Sequence, residues 1–191
     1  MQRDRLTAFT DGVLAIIVTI MVLEMRPPHG ASLHDLAELW PVFISYVLSF
    51  VYIGIYWNNH HHFFQLVEEV DGAVLWANLH LLFWLSLIPF ATTWMGENHF
   101  APTPTALYGV SLFMPAVAWV VMQAVIIRQQ GPDSPLRRAL GRDLKGKLSP
   151  FLYLAGAAIA YWSTLAADLL YASVALMWLV PDRRVETTVR A

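Results

Sequence analysis

The sequence predicts an all-α integral membrane protein, and three observations support this fold class: its composition, its long apolar segments and the distribution of its positive charges. Of the 191 residues, 57% are hydrophobic and only 14% are charged, whereas soluble domains carry about 25% charged residues. The mean hydropathy is +0.50. The chain contains no cysteine, so disulfides and thiolate metal sites are excluded.

Six apolar segments predict six membrane-spanning helices in a single domain, residues 1–191. The predicted spans are residues 7–25, 39–57, 74–95, 105–127, 149–165 and 167–180. The last two come from one apolar stretch, which as a single helix would be about 48 Å long and would exceed the ~30 Å hydrocarbon core of a bilayer. We therefore divide that stretch near residues 164–168. Prolines in the connections, such as Pro27 and Pro28, break helices there.

The positive charges predict the orientation of the chain. With six spans, eleven of the twelve Lys and Arg residues lie on the side of the N-terminus, and only Arg26 lies on the opposite side. Because cytoplasmic loops are enriched in Lys and Arg, we expect a multi-pass protein of the cell membrane with both termini in the cytoplasm. The eleven residues are Arg3, Arg5, Arg128, Arg137, Arg138, Arg142, Lys145, Lys147, Arg183, Arg184 and Arg190.

The first predicted span carries an acidic residue. Its apolar run, residues 13–23, is too short to cross the hydrocarbon core as a helix, so Asp11 must lie in or near the membrane. An ionised Asp at the centre of a span costs about 3 kcal/mol on insertion scales, and we therefore expect it to have a partner. A cleaved signal peptide is the alternative for this segment, but Asp4, Asp11 and the poor cleavage site at residues 24–28 argue against it.

Further polar groups interrupt the second and third spans near the cytoplasmic side. Since polar groups in a membrane need partners, we expect one network formed by Arg5, Asp11, one or more of His60, His61 and His62, Asn78 and His80. A simpler interpretation is that these groups only hold the first three helices together. Consecutive histidines point about 100° apart on a helix, and no H-E-x-x-H spacing is present, so we predict no metal site.

The sequence also lacks the motifs of an enzyme. It has no G-x-S-x-G elbow, no Gly-rich phosphate loop and no paired carboxylates on one face of a span. We therefore predict a protein that is not an enzyme and has no catalytic residues, no cofactor and no nucleic-acid partner. The basic loop at residues 128–148 suits contact with anionic lipid headgroups.

One face of the first span is apolar. At about 100° per residue, four residues share this stripe: Gly12, Ile16, Ile20 and Leu23. Thr19 lies at its flank, and Asp11 faces the opposite side. The stripe either faces lipid or forms the wall of a pore, in which aliphatic rings gate by wetting and drying. One helix cannot enclose a pore, so a pore would need several subunits around a symmetry axis, most simply four.

Three segments of the chain resemble one known family. Residues 5–11, with the pattern R-x-x-x-F-T-D, resemble the R-x-x-x-F-S-D signature on the first helix of the endolysosomal potassium channel family, transmembrane protein 175, and its prokaryotic relatives. Residues 57–63, W-N-N-H-H-H-F, resemble the W-x-x-H-H stretch of the second helix, and residues 78–90 resemble the third helix. Thr10 replaces the Ser of the signature and retains its hydroxyl. The animal members carry two such repeats, and this chain carries one.

This resemblance implies a homotetramer of six-helix subunits whose first helices line a central pore. Ile16 would form the narrowest ring, with Ile20 and Leu23 as further aliphatic layers. Thr19 would contribute to ion preference. The resemblance also implies a structural polar network, whose members are Arg5, Phe9, Thr10, Asp11, Trp57, His60, His61, Asn78 and His80. The sequence contains no T-V-G-Y-G filter, which the family also lacks.

From the resemblance we expect a passive cation channel that is permeable to potassium and other monovalent cations, is embedded in membrane lipid and assembles with further copies of the chain. A proton-coupled secondary transporter is the alternative, with Asp11 and His80 as a proton relay. A structural membrane subunit without transport of its own is a third interpretation.

Overall fold

The computed structural model describes residues 3–131, 134–141 and 143–179, and within these ranges all regular secondary structure is α-helical. Four of the predicted cytoplasmic charges, Arg142, Arg183, Arg184 and Arg190, lie outside the described residues, as does Val180 at the end of the last predicted span. The helices are α1 (Arg3–Leu23), α2 (Leu33–Ala37), α3 (Trp40–Gln65), α4 (Gly72–Leu85), α5 (Ile88–Glu97), α6 (Pro102–Gln130), α7 (Pro135–Leu140), α8 (Leu144–Ile159) and α9 (Thr164–Leu179).

In the part of the chain that the structure describes, four stretches are long and apolar enough to cross a membrane: α1, α3, the combined α4–α5 stretch Gly72–Glu97, and α6. The last helix, α9, is also apolar but shorter. The predicted all-helical fold with long apolar helices is therefore confirmed. The number of membrane crossings remains a prediction.

Helix α1 lies at the edge of the bundle and packs against α3, α4 and α5. Its buried residues recur every three or four positions, which is the period of one helix face; they are Leu6, Thr10, Leu14, Ile17 and Met21. At its start, the Arg3 guanidinium donates a hydrogen bond to the carbonyl oxygen of Gln65 at 3.2 Å. This contact places a positive charge at the C-terminus of α3, where the helix dipole favours it.

The third apolar stretch bends between α4 and α5. Pro89 has no N–H group to donate to the carbonyl of Leu85, so the regular helix is interrupted there. Further along, α5 crosses α3 closely at Gly96, where an added Cβ would lie 2.8 Å from the Cα of Val42. The bend and this close crossing keep α5 against α3.

The last two long helices, α8 and α9, are joined by a tight turn at residues 160–163. The Ser163 hydroxyl oxygen accepts a hydrogen bond from the backbone N–H of Ala166 at 3.3 Å, and so caps the start of α9. The turn precedes residues 164–168, where the sequence marks the division. A single capping serine is a weak sequence signal for a helix boundary, so the sequence placed the division a few residues too late.

Candidate functional site

One face of α1 has no packing partner among the described residues of the chain. Ile16 is 58% exposed, Ile20 40% and Leu23 78%. Ile17, next to Ile16, is buried on the opposite face. The structure therefore exposes the four residues that the sequence assigns to one stripe and also Thr19 at its flank. We call these five residues the α1 stripe: Gly12, Ile16, Thr19, Ile20 and Leu23.

Two features of the α1 stripe are not aliphatic. The Thr19 hydroxyl donates a hydrogen bond to the carbonyl oxygen of Ile16 at 2.9 Å, so its oxygen retains capacity to accept another. Around Gly12, no atom lies within 4 Å of an added Cβ. The stripe thus combines apolar surface with one hydroxyl oxygen and an open notch.

On the opposite face, a buried polar cluster fixes α1 to α3 and α4. The Asn78 side-chain amide donates to the Thr10 hydroxyl oxygen at 2.9 Å, and its carbonyl oxygen lies 2.9 Å from Nε2 of His60. Since that oxygen can only accept, Nε2 of His60 carries the hydrogen. The His60 ring stacks on Phe64 with centroids 4.4 Å apart. These contacts place one residue from each of three helices in a common hydrogen-bonded chain.

Asp11 has its own partner. The indole N–H of Trp57 donates to Oδ1 of Asp11 at 3.1 Å, which joins α1 to α3 a second time. The two residues border a groove of about 250 Å³ between these helices. The partner that we expected for Asp11 is therefore the neutral indole N–H of Trp57 rather than a positively charged group.

The remaining members of the predicted network lie apart from this cluster; they are Arg5, Phe9, His61 and His80. Arg5 and Phe9 are exposed, and at about 100° per residue they fall on the face of the α1 stripe. His61 lies 3.0 Å from the Gln65 amide on its own helix, and His80 accepts from the Trp84 indole at 2.8 Å. Within the described chain, the structure thus brings together only part of the predicted set. Roles for the other members stay predictions.

The sequence interpretation missed a second buried polar cluster. The Ser49 hydroxyl lies 2.7 Å from the Thr92 hydroxyl and 2.9 Å from the Tyr108 hydroxyl, which joins α3 to α5 and α6. Three residues further along α3, the Tyr52 hydroxyl donates to the carbonyl oxygen of Tyr171 at 2.6 Å. The spacing of Ser45, Ser49 and Tyr52 along one helix face was the available signal.

Removing the amide at position 78 tests the cluster on α1. We expect Asn78→Leu to lower the free energy of unfolding by about 1–3 kcal/mol, because it leaves the buried His60 and Thr10 without their shared partner. The matched control is Asn98→Leu, since among the described residues the exposed Asn98 side chain bonds only to the Trp94 carbonyl of the preceding helix. Thermal unfolding in detergent measures both. Equal melting temperatures for the two variants would contradict the role of the cluster.

Comparison with known proteins relates this geometry to channels. A family model described as endosomal/lysosomal potassium channel TMEM175 matches residues 5–89. A protein of Chryseobacterium sp. named as a potassium channel is 50% identical over 190 residues, which cover 100% of this chain and 99% of that protein. The match to residues 5–89 includes the α1 stripe and both sets of contacts that hold α1 to α3 and α4.

Two further comparisons extend the likeness. The crystal structure of a lysosomal potassium-selective channel TMEM175 homologue from Chamaesiphon minutus superposes with a TM-score of 0.82 at 26% identity, covering 94% of this chain and 97% of that one. A Gallus gallus protein named as the endosomal/lysosomal proton channel TMEM175 is 30% identical over 103 residues, which cover 48% of this chain and 21% of that protein. The fold is therefore shared over nearly the whole chain with a solved potassium channel homologue.

Proposed function

We propose that this chain, which belongs to the TMEM175 family of potassium channels, is a passive potassium-permeable cation channel. One observation carries the proposal: α1 packs with one face against α3, α4 and α5, while its aliphatic stripe is unpartnered. Such a helix can present its free face to symmetry-related copies around a common axis.

The proposed assembly is a homotetramer of single-domain subunits, with α1 of each subunit lining a central pore. Each subunit would cross the membrane six times, through α1, α3, the α4–α5 stretch, α6, α8 and α9. Both termini would then be cytoplasmic, as the positive charges predict. Membrane lipid would surround the remaining helix faces.

Gating is assigned to the aliphatic side chains of the α1 stripe. A ring of Ile16 side chains would be the narrowest point, with Ile20 and Leu23 as outer layers, and such rings block ions when they lose water. Thr19 would supply the hydroxyl oxygen nearest this ring and so contribute to ion preference. Asp11 and Thr10 would hold α1 at the correct distance from the axis through their bonds to Trp57 and Asn78. Potassium would therefore pass without the T-V-G-Y-G filter of other potassium channels.

Flux through purified protein tests the proposal. We expect liposomes that contain the wild-type chain to release potassium down a concentration gradient, without saturation and with no pH gradient. Potassium flux that equals the flux of protein-free liposomes would overturn the channel. The mass of the detergent-solubilised assembly, measured on the same preparation, tests the tetramer separately.

Proton movement is the second candidate function, because the Gallus gallus relative is named as a proton channel. A proton-coupled transporter would use Asp11 and His80 as a relay. The geometry favours it less, since Asp11 bonds to Trp57 and His80 bonds to Trp84 rather than to each other. Potassium flux that runs only when a pH gradient is imposed would instead favour that transporter.

A further inference from the structure

A second open surface lies at the other end of α1, where the chain leaves this helix and enters α2 and α3. A groove of about 540 Å³ is formed there. Its lining residues are Met25, Arg26, Pro27, Pro28, Leu36, Ala37, Leu39, Trp40, Val42 and Phe43. Arg26 is the single charged residue among them.

The wall of the groove is apolar, and one of its rings packs against a neighbouring aromatic residue. Leu36, Trp40 and Phe43 each expose more than half of their surface. The Trp40 ring packs against Phe100 with centroids 5.7 Å apart. Further along α3, Val47 continues the exposed apolar surface. A long apolar ligand could therefore extend from the groove along α3 toward the middle of the membrane.

Arg26 supplies a free positive charge at one end of this wall. It is exposed and makes no hydrogen bond or ion pair with any residue that the structure describes. Pro27 and Pro28 follow it directly and restrict the backbone at this point. The guanidinium is thus available to a ligand, next to two residues whose backbone φ angles are fixed.

The acidic residue of α2 does not neutralise Arg26. Asp35 accepts hydrogen bonds from the backbone N–H of Ser32 at 2.9 Å and from its hydroxyl at 2.5 Å, in a capping box that holds α2 in place. These bonds from Ser32 lower the pKa of the Asp35 carboxyl. The Asp35 carboxylate is therefore bound to Ser32 at the start of α2 rather than to Arg26. Helix α2 forms one wall of the groove.

We propose that this groove binds one phospholipid, with the phosphate on Arg26 and an acyl chain along Leu36, Trp40 and Phe43. A guanidinium can bind a phosphate through two parallel hydrogen bonds. The groove lies at the ends of two helices long enough to span a membrane, the depth at which Trp side chains such as Trp40 meet lipid headgroups. A cation beside an apolar wall at that depth complements an anionic amphiphile.

Native mass spectrometry of protein released from vesicles tests this site. The vesicles contain phosphatidylglycerol and an uncharged diacylglycerol glycolipid in equal amounts. We expect the wild-type protein to retain phosphatidylglycerol preferentially and Arg26→Gln to retain about tenfold less of it. Arg3→Gln, which removes an exposed arginine from the other end of α1, is the matched control and should retain as much as the wild type.

Leu36→Gln provides a second test that leaves the charge in place. It makes the apolar wall polar and should also reduce retention, even if Arg26→Gln fails to fold. Wild-type retention in both variants would overturn the site. A photo-crosslinker at Phe43 that joins two protein chains instead of protein to lipid would also overturn it, because a second copy would then cover the groove. Potassium flux in the same vesicles reports separately on the channel.

Discussion

Replacing Ile16 with Asn is expected to raise potassium flux through reconstituted protein about tenfold, which corresponds to a barrier lower by about 1.4 kcal/mol. A ring of isoleucine side chains excludes water at a narrow point, whereas a ring of amides retains it, and hydrated ions pass a wet constriction more easily. The exposure of Ile16 on the α1 stripe makes the substitution compatible with the fold. Potassium flux from liposomes, scaled to the amount of inserted protein, measures the effect.

Val22→Asn is the matched control for this experiment. Val22 is an exposed aliphatic residue of the same helix, but it lies about 120° away from Ile16 around the helix axis. We expect its flux to equal that of the wild type. If both variants conduct alike, or if Ile16→Asn leaves the flux unchanged, Ile16 does not form the gate.

The sequence predicted the two faces of α1 because a helix repeats every 3.6 residues and the apolar residues follow that period. Asp11 faces away from Ile16 in the structure, as a rotation of about 100° per residue predicts. It also has the hydrogen-bond partner that we expect for an acidic residue in or near a membrane. Composition and the long continuous apolar segments together predicted the helical class, since a helix satisfies its backbone polar groups within one such segment.

The predicted polar network shows where such reasoning stops. The sequence grouped Arg5 with Asp11 because both are charged groups near the cytoplasmic side, and the family resemblance added Phe9. Residues that are close in sequence nevertheless point in different directions on a helix. Arg5 and Phe9 are both exposed in the described chain, whereas Thr10, which follows Phe9 directly, is buried. The helical period could have separated Arg5 and Phe9 from Thr10. Spacing within one helix could not reveal that Thr10 is joined to Asn78 and His60, because those contacts depend on how three helices pack.

The contacts among α6, α8 and α9 could not be predicted from the sequence either. Tyr171 is fully buried, and its ring lies between Gly109 of α6 and Gly156 of α8. Its hydroxyl donates to the Thr105 carbonyl oxygen at 3.3 Å. A lone glycine in an apolar helix does not reveal which side chain fills the space that it leaves, so this cradle emerges only when three distant segments are placed together.

Gly156→Ala is expected to lower the free energy of unfolding by about 1–3 kcal/mol, the usual cost of overpacking a filled core. A Cβ at this position would collide with ring carbons of Tyr171, which is held on both sides and cannot withdraw. The matched control is Gly54→Ala on α3, where an added Cβ meets no atom within 4 Å. There we expect a gain of up to about 1 kcal/mol, because Ala favours a helix more than Gly does. Thermal unfolding in detergent compares the two variants.

A double substitution separates steric collision from a general intolerance of α6 and α8. At Gly109 the added Cβ would meet the Tyr171 hydroxyl oxygen first, whereas at Gly156 it would meet the ring itself. Tyr171→Phe should therefore recover part of the stability lost in Gly109→Ala and none of that lost in Gly156→Ala. Equal recovery at both glycines would contradict the cradle, because the hydroxyl would then have no specific neighbour.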